Sequence, residues 1–180
     1  MNNIIKPFLD EHRCAYQLKD QDTAVFEHLF NYLTVRNYTS RHFDPAEISL
    51  GKGEVGIDGI AIIVNDILIT DYTQIEECFK SESDLSVTFI FTQSKTSESF
   101  DSHDMSQFFS SVRDFINKGE FNTTRRACEL HKICKFIFDN PIKLSKNPDC
   151  HMFYSYTGRL QQDSTRDSMV KDQIELLKKT

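Results

Sequence analysis

The sequence predicts an α/β chain whose central mixed β-sheet is flanked by helices. Three observations predict it. Segments of helical and of strand periodicity alternate along the chain instead of separating into blocks. The run IDGIAIIVN at 57–65 is almost continuously β-branched, as in a strand buried on both faces. The run LSVTFIFTQSK at 85–95 alternates with a period of two and is the strongest strand signal in the chain.

In chain order, the first helix is expected over 21–35, where Val25, Phe26, Leu29, Phe30 and Leu33 fall on one stripe. Asp20 or Asp22 is its candidate N-cap, because a carboxylate accepts from the unpaired N–H groups of a first turn. The loop HFDPAEISLGKGEVG holds three of the six glycines, at 51, 53 and 56, which permit tight or left-handed backbone. Ile57, Ile60, Ile62, Ile63 and Val64 carry the first strand. Asn65-Asp66 reads as a turn, so ILIT at 67–70 should return as a hairpin partner. YTQIEECFKS at 72–81 reads as a weak helix or an irregular connection.

After the 85–95 strand, an amphipathic helix is expected over 104–117. Met105, Phe108, Phe109, Val112, Phe115 and Ile116 form its stripe, and Gly119 is its stop. This Phe-rich stripe is assigned to the core rather than to a stacking platform. A further helix over 123–139 carries Leu130, Ile133, Cys134 and Ile137. Residues 150–157 read as a last strand, and 164–179 as a polar helix with few apolar anchors. The division is one domain over 1–160 and a C-terminal helix over 161–180.

A chain of 180 residues buries a core without disulfide or metal staples. Its 39% hydrophobic and 27% charged residues are globular rather than disordered proportions. No apolar run approaches the roughly 18–20 residues of a spanning helix. The N-terminus MNNIIKPFLDEHR lacks the basic-then-apolar order of a secretory signal. The expectation is a cytoplasmic protein with no membrane partner. Five cysteines, an odd number without Cys-x-x-Cys spacing, read as reduced thiols rather than a disulfide framework or zinc ribbon. The six histidines show no His-x-x-x-His spacing. With 21 Lys+Arg against 27 Asp+Glu the net charge is −6, which argues against a basic nucleic-acid coat. A local basic channel, and carboxylates that gather a divalent cation, remain compatible with that balance.

Val87, Phe89, Phe91, Gln93 and Lys95 share one face of their strand, so an apolar face ends in two adjacent polar side chains. Asp58 stands at the glycine-rich start of the 57–65 strand. If the two strands are sheet neighbours, Asp58, Gln93 and Lys95 converge at one sheet end. A carboxylate and an amide oxygen are hard ligands suited to Mg²⁺, which keeps several waters and needs few protein ligands. A lysine on the same side can orient or deprotonate a water, or offset phosphate charge. Metal, positioned water and cation are what phosphodiester hydrolysis requires.

Gly56-Ile57-Asp58-Gly59-Ile60-Ala61, followed by Phe91-Thr92-Gln93-Ser94-Lys95, resembles the PD-(D/E)xK nuclease superfamily in its Mrr-like, Gln-x-Lys version. The strings GIDGIAIIVN, FIFTQSKTSESFD and MSQFFSSVRDF, with the later YSYTG, are similar to the N-terminal region of abortive-infection phage-resistance (AIPR) proteins. The similarity runs from about the first helix to the last strand. It implies a restriction-endonuclease-like sheet and an endonuclease dependent on Mg²⁺ (or Mn²⁺). It also implies nucleic acid, most often DNA, as substrate, within bacterial antiphage defence. By resemblance Asp58, on the second core strand, and Gln93, on the third, hold the metal. Lys95 is then the catalytic lysine, and Glu27 is the acidic residue of the first core helix that completes the site. Two departures stand out, both usual in the Mrr-like branch. Gln93 replaces the commoner carboxylate and lowers the local negative charge, and Ile57 stands where the proline would. AIPR proteins are much longer than this chain, so the resemblance implies a regulatory region C-terminal to it.

Other readings compete. Asp58, between Gly56 and Gly59, reads singly as a turn residue, and Gln93 with Lys95 as a solvated strand end. Glu54 is a rival carboxylate to Glu27. Thr96 and Ser97 are candidates to position phosphates. Lys52, Arg125, Arg126 and Lys132 are candidates for the nucleic-acid backbone, against the plainer reading of a solvated charged face. The rival functions are an inactive nucleic-acid-binding or partner-docking domain, a ribonuclease, and a structural domain in which Asp58 lies far from Lys95. A double-strand cutter needs two active sites, so a homodimer is expected on mechanistic grounds only.

Overall fold

The computed structural model describes residues 4–51, 56–117, 124–159 and 163–178. Four strands form one sheet: β1 (Gly59–Val64), β2 (Ile67–Leu68), β3 (Val87–Lys95) and β4 (Asp149–Tyr156). Their spatial order is β2-β1-β3-β4. β1 runs antiparallel to both β2 and β3, whereas β3 and β4 are parallel. The chain is therefore α/β with a mixed central sheet. Parallel neighbours need a crossover. Here two helices supply it, α4 (Ser102–Asn117) and α5 (Arg125–Asp139); α1 (Lys6–Tyr16), α2 (Asp22–Val35), α3 (Tyr72–Ser81) and α6 (Ser164–Leu177) complete the described helices.

β1 is buried at every position, as its β-branched run requires. It joins β2 through Asn65 and Asp66, whose φ values of 46° and 70° make the left-handed pair of a two-residue hairpin turn. Thr39 Oγ1 donates to the Asp66 carbonyl at 2.6 Å and Ser40 N to its carboxylate at 2.7 Å, which anchors the turn. β3 alternates as its period of two demands. Val87, Phe89 and Phe91 enter the main core with Phe108, Phe115, Leu130 and Ile133, while Ile90 faces Val35, Phe43, Ile48, Ala61 and Ile63. Phe91 and Phe115 meet edge to face at 5.6 Å, so the α4 stripe is core. Met105 and Ile116 sit at its margin, and Gly119, the expected stop, lies outside the described residues.

Several expectations need correction. α1 was not anticipated; it fully buries Leu9 against Val25 and Phe26 of α2, also buries His12, and adds ion pairs to that seat. Lys6 Nζ and Arg13 Nη2 reach the Asp22 carboxylate at 2.6 and 2.5 Å. Asp22 is thus an inter-helix ion-pair partner and not an N-cap; Gln21 holds that position without a side-chain bond. The α2 stripe is shifted: Leu33 is 47% exposed, while Asn31, Thr34 and Val35 are buried. The cause is that α2 lies against the sheet, so the face with Asn31 and Val35 turns inward. α3 is a regular helix, capped by Asp71, whose carboxylate accepts from Thr73 N and Gln74 N at 2.8 and 3.0 Å. α6 buries no residue fully, as its polar sequence implies, and lies against α4. All five cysteines are described and none forms a disulfide. Among the described residues, no helix is long and apolar enough to cross a membrane.

Candidate functional site

β1 and β3 are neighbours, so the condition for convergence is met. Gly59 pairs with Thr92, and one step further Asp58 N donates to Thr92 O at 2.9 Å. β1 ends there, while β3 continues. The Asp58 carboxylate takes the place a further strand residue would occupy. Its Oδ2 accepts from Ser94 N at 2.6 Å and from Ser94 Oγ at 2.9 Å. Burial pushes Asp58 above the usual carboxylate range, against the opposing pull of both Ser94 donors, the Lys95 ammonium and the Gln93 amide.

Gln93 follows the same face and is only 4% exposed. Its amide N–H side serves Asp58, but its Oε1 is buried with no hydrogen-bond partner. Native interiors rarely leave such an atom unsatisfied, so it calls for an explanation. Lys95 Nζ lies 3.2 Å from Asp104 Oδ2, with the two side chains 31% and 30% exposed. Asp104, in the first turn of α4, is a site residue that sequence reasoning missed. Across β3, Gln93 and Lys95 are register partners of Tyr154 and Tyr156. Burial, reinforced by the Asp104, Asp101 and Asp58 carboxylates, pushes the Tyr154 hydroxyl up to about 12. It therefore stays a neutral donor.

α2 covers the other side of this sheet end. Glu27 and Asn31 are four residues apart and share a helix face. Glu27 Oε1 accepts from Ser49 Oγ at 2.6 Å, and Ser49 bridges Gly59. Burial pushes the Glu27 carboxyl up to about 7; the Ser49 bond opposes this and the Asp58 charge adds to it. Glu27 is therefore within electrostatic reach of Asp58. Asn31 Oδ1 accepts from Thr92 Oγ1 at 2.6 Å, and Asn31 Nδ2 is buried without a partner. Gly59 makes this approach possible: a Cβ there would lie 2.6 Å from Thr92 Oγ1 and 2.8 Å from Asn31 Oδ1. Gly59→Ala is expected to destabilise the fold by about 1–3 kcal/mol through overpacking. Urea unfolding should show a lower midpoint with an unchanged slope.

No family model, no curated protein and no solved structure matches the chain. One departure from the expected strand assignment is plain: among the described residues Asp58 precedes the first strand of the sheet, and the isolated Ser49–Gly59 bridge stands in place of an earlier strand.

The remaining candidates lie apart from this cluster. Thr96 and Ser97 present their carbonyls to Thr157 Oγ1 at 3.0 Å each, and Ser97 Oγ donates to Ser99 O at 2.9 Å. The loop is thus fastened to the end of β4. A Cβ on Gly158 would lie 1.8 Å from the Glu98 carbonyl, so only glycine fits there. Arg126, expected at the nucleic-acid backbone, donates to the Thr70 and Glu47 carbonyls at 2.6 and 2.7 Å and acts as a strut of the fold. Arg125 pairs with Glu129 at 2.9 Å on the α5 surface, where Lys132 is also exposed. Lys52 and Glu54 lie outside the described residues. Among the described residues, no group of three or more His, Cys, Asp or Glu side chains is arranged to hold a metal. The set at the sheet end is instead two carboxylates and an amide, which are oxygen donors of the kind that suit Mg²⁺.

Proposed function

We propose that this chain is a metal-dependent nuclease that hydrolyses phosphodiester bonds, with DNA as substrate, on a restriction-endonuclease-like fold. The observation that carries the reading is the unpartnered Gln93 Oε1, buried beside the Asp58 carboxylate, with Lys95 on the same face. A cation explains why that oxygen has no partner in the protein. Asp58, Gln93 Oε1 and Glu27 would hold Mg²⁺ or Mn²⁺. When bound, the ion polarises the scissile phosphate and lowers the pKa of a bound water. The chain's own residues do the rest. Ser94 fixes the Asp58 carboxylate through two bonds. Asp104 holds the Lys95 ammonium at the same sheet end, where it orients the attacking water and offsets charge on the phosphate. The antiparallel β1–β3 pair, the helical crossover and the parallel β4 support the fold assignment. DNA preference, antiphage defence and a C-terminal regulatory region rest on the sequence resemblance alone; a dimer rests on the needs of double-strand cutting.

Incubating the protein with supercoiled plasmid tests this. Nicking or cutting with Mg²⁺ or Mn²⁺ is expected, with none in EDTA and none with Lys95→Ala. Cleavage of RNA but not plasmid would move the assignment to a ribonuclease. A folded wild-type protein that binds plasmid and never cuts it would make this a binding domain.

A further inference from the structure

We propose that a cavity lined by Tyr156, the strand neighbour of Lys95, with Phe100, Arg159 and Arg166, binds one unpaired nucleotide of the substrate strand next to the scissile phosphate; this rests on the nuclease reading. The cavity measures about 540 Å³, within the range of sites that take one small ligand. Its wall continues the candidate site. Tyr156 is the register partner of Lys95, and Phe100 meets Tyr154 and Tyr156 edge to face at 6.1 and 5.9 Å. Neighbouring strands lie only about 4.8 Å apart, so a chain seated in the cavity reaches Lys95 within about one nucleotide.

The two arginines differ from the one that builds the fold. Arg126 is held by two backbone carbonyls. Arg166 lies over the Phe100 ring at 5.6 Å and is 12% exposed; among the described residues its guanidinium pairs with the neighbouring Asp167, at 3.3 Å. The Arg159 guanidinium has no hydrogen-bond or ion-pair partner among the described residues; only its carbonyl is used, by Tyr156 Oη at 3.3 Å. Of the two acids that line the cavity, Asp163 caps α6, accepting from Thr165 N and Arg166 N at 2.9 and 3.3 Å. Glu98 is exposed. Planar guanidinium forks recognise phosphate oxygens, and aromatic faces stack bases without regard to sequence. A base can stack there only when it is out of the duplex. The chemistry selects a single-stranded, frayed or flipped segment over intact duplex.

The test is fluorescence anisotropy of the full chain in EDTA, with a labelled single-stranded DNA oligonucleotide and its blunt duplex. Tighter binding of the single strand is expected. Arg166→Met and Arg159→Met should each weaken single-strand binding by roughly tenfold and lower the slope of log affinity against log salt by about one. Lys80→Met, in α3 and outside the cavity lining, should change neither. Arg166→Lys should keep the salt slope and lose part of the affinity. The proposal is overturned if both Met variants bind the single strand as the wild type does. It is also overturned if a nucleoside monophosphate displaces the strand at equal concentration, since the cavity then takes free nucleotide. Metal-free binding does not depend on cleavage. Predicted binding without any cutting in Mg²⁺ removes the nuclease reading alone; cutting with unchanged binding in the Met variants removes the cavity proposal alone.

Discussion

Asp58→Asn is expected to lower metal-dependent cleavage by roughly 10³-fold while leaving the fold as stable as the wild type, or more so. The two halves of this expectation have different origins. Cleavage falls because an amide oxygen carries no full charge to hold a divalent cation beside Gln93. Stability holds because Asn has the same shape, and its Oδ1 can accept from Ser94 N and Ser94 Oγ, now 2.6 and 2.9 Å from Asp58 Oδ2. The charge itself is a burden on the metal-free fold. Burial raises Asp58 above its ordinary value of 3.8, so between that value and the folded one the native state binds more protons than the unfolded chain. Its share of stability therefore falls as pH rises through that window and stays low above it. Asn removes the burden at pH 8. Thermal melts in EDTA, paired with plasmid cleavage in Mg²⁺, check both halves. Retained cleavage would sink the ligand assignment. A large drop in melting temperature would make Asp58 a structural carboxylate, held in its ionised form by Lys95 and Ser94.

The face of the site was legible in the sequence, but its surroundings were not. Side-chain alternation alone places Gln93 and Lys95 together beyond Phe91, and burial of β1 follows from its β-branched run. That Asp58 meets them depends on strand adjacency, which no local pattern encodes. α1 stayed hidden because KPFLDEHRCAY buries little, and its place depends on α2: Leu9 packs on Val25 and Phe26, and Lys6 and Arg13 pair with Asp22, a tertiary effect. Asn31 was obscured by the apolar residues around it. A periodicity count treats a polar residue on an apolar helix as solvent-facing, whereas here it bonds Thr92 at the sheet end. The one available signal was its spacing of four from Glu27. Asp104 was read only as the start of a helix, although a helix that folds back over the end of β3 brings its first turn to Lys95. Arg126 shows the reverse error. A surface charge in the sequence is a carbonyl-bound strut in the fold.

Glu27→Gln should remove the decline in the metal-free protein's stability that the Glu27 carboxyl imposes between about 4.5 and about 7. The Glu27 carboxyl has an ordinary value of 4.5 and is raised in the fold to about 7, first by burial and then by the Asp58 charge, against the Ser49 bond. In that interval the native state keeps a proton the unfolded chain has lost, so Glu27's share of wild-type stability declines as pH rises and levels off above about 7. The decline amounts to about 3 kcal/mol at most, or roughly 6–12 °C in melting temperature for a chain of this size. The Gln variant keeps the part that belongs to Asp58, whose window opens at 3.8, and the opposing part of His12 and His28, which burial holds below their ordinary 6.5 so that their share of stability grows as pH rises to that value. At pH 8 in EDTA it should therefore melt higher than the wild type. Mg²⁺ reverses the order, because a cation rewards the ionised carboxyl. It should raise the wild-type melting temperature more at pH 8 than at pH 6, and raise the variant's little at either. If the variant shows the same pH dependence as the wild type in EDTA, Glu27 is solvated rather than buried beside Asp58. If the variant loses that dependence but gains from Mg²⁺ as the wild type does, the metal is held without the helix carboxylate, by Asp58 and Gln93 alone.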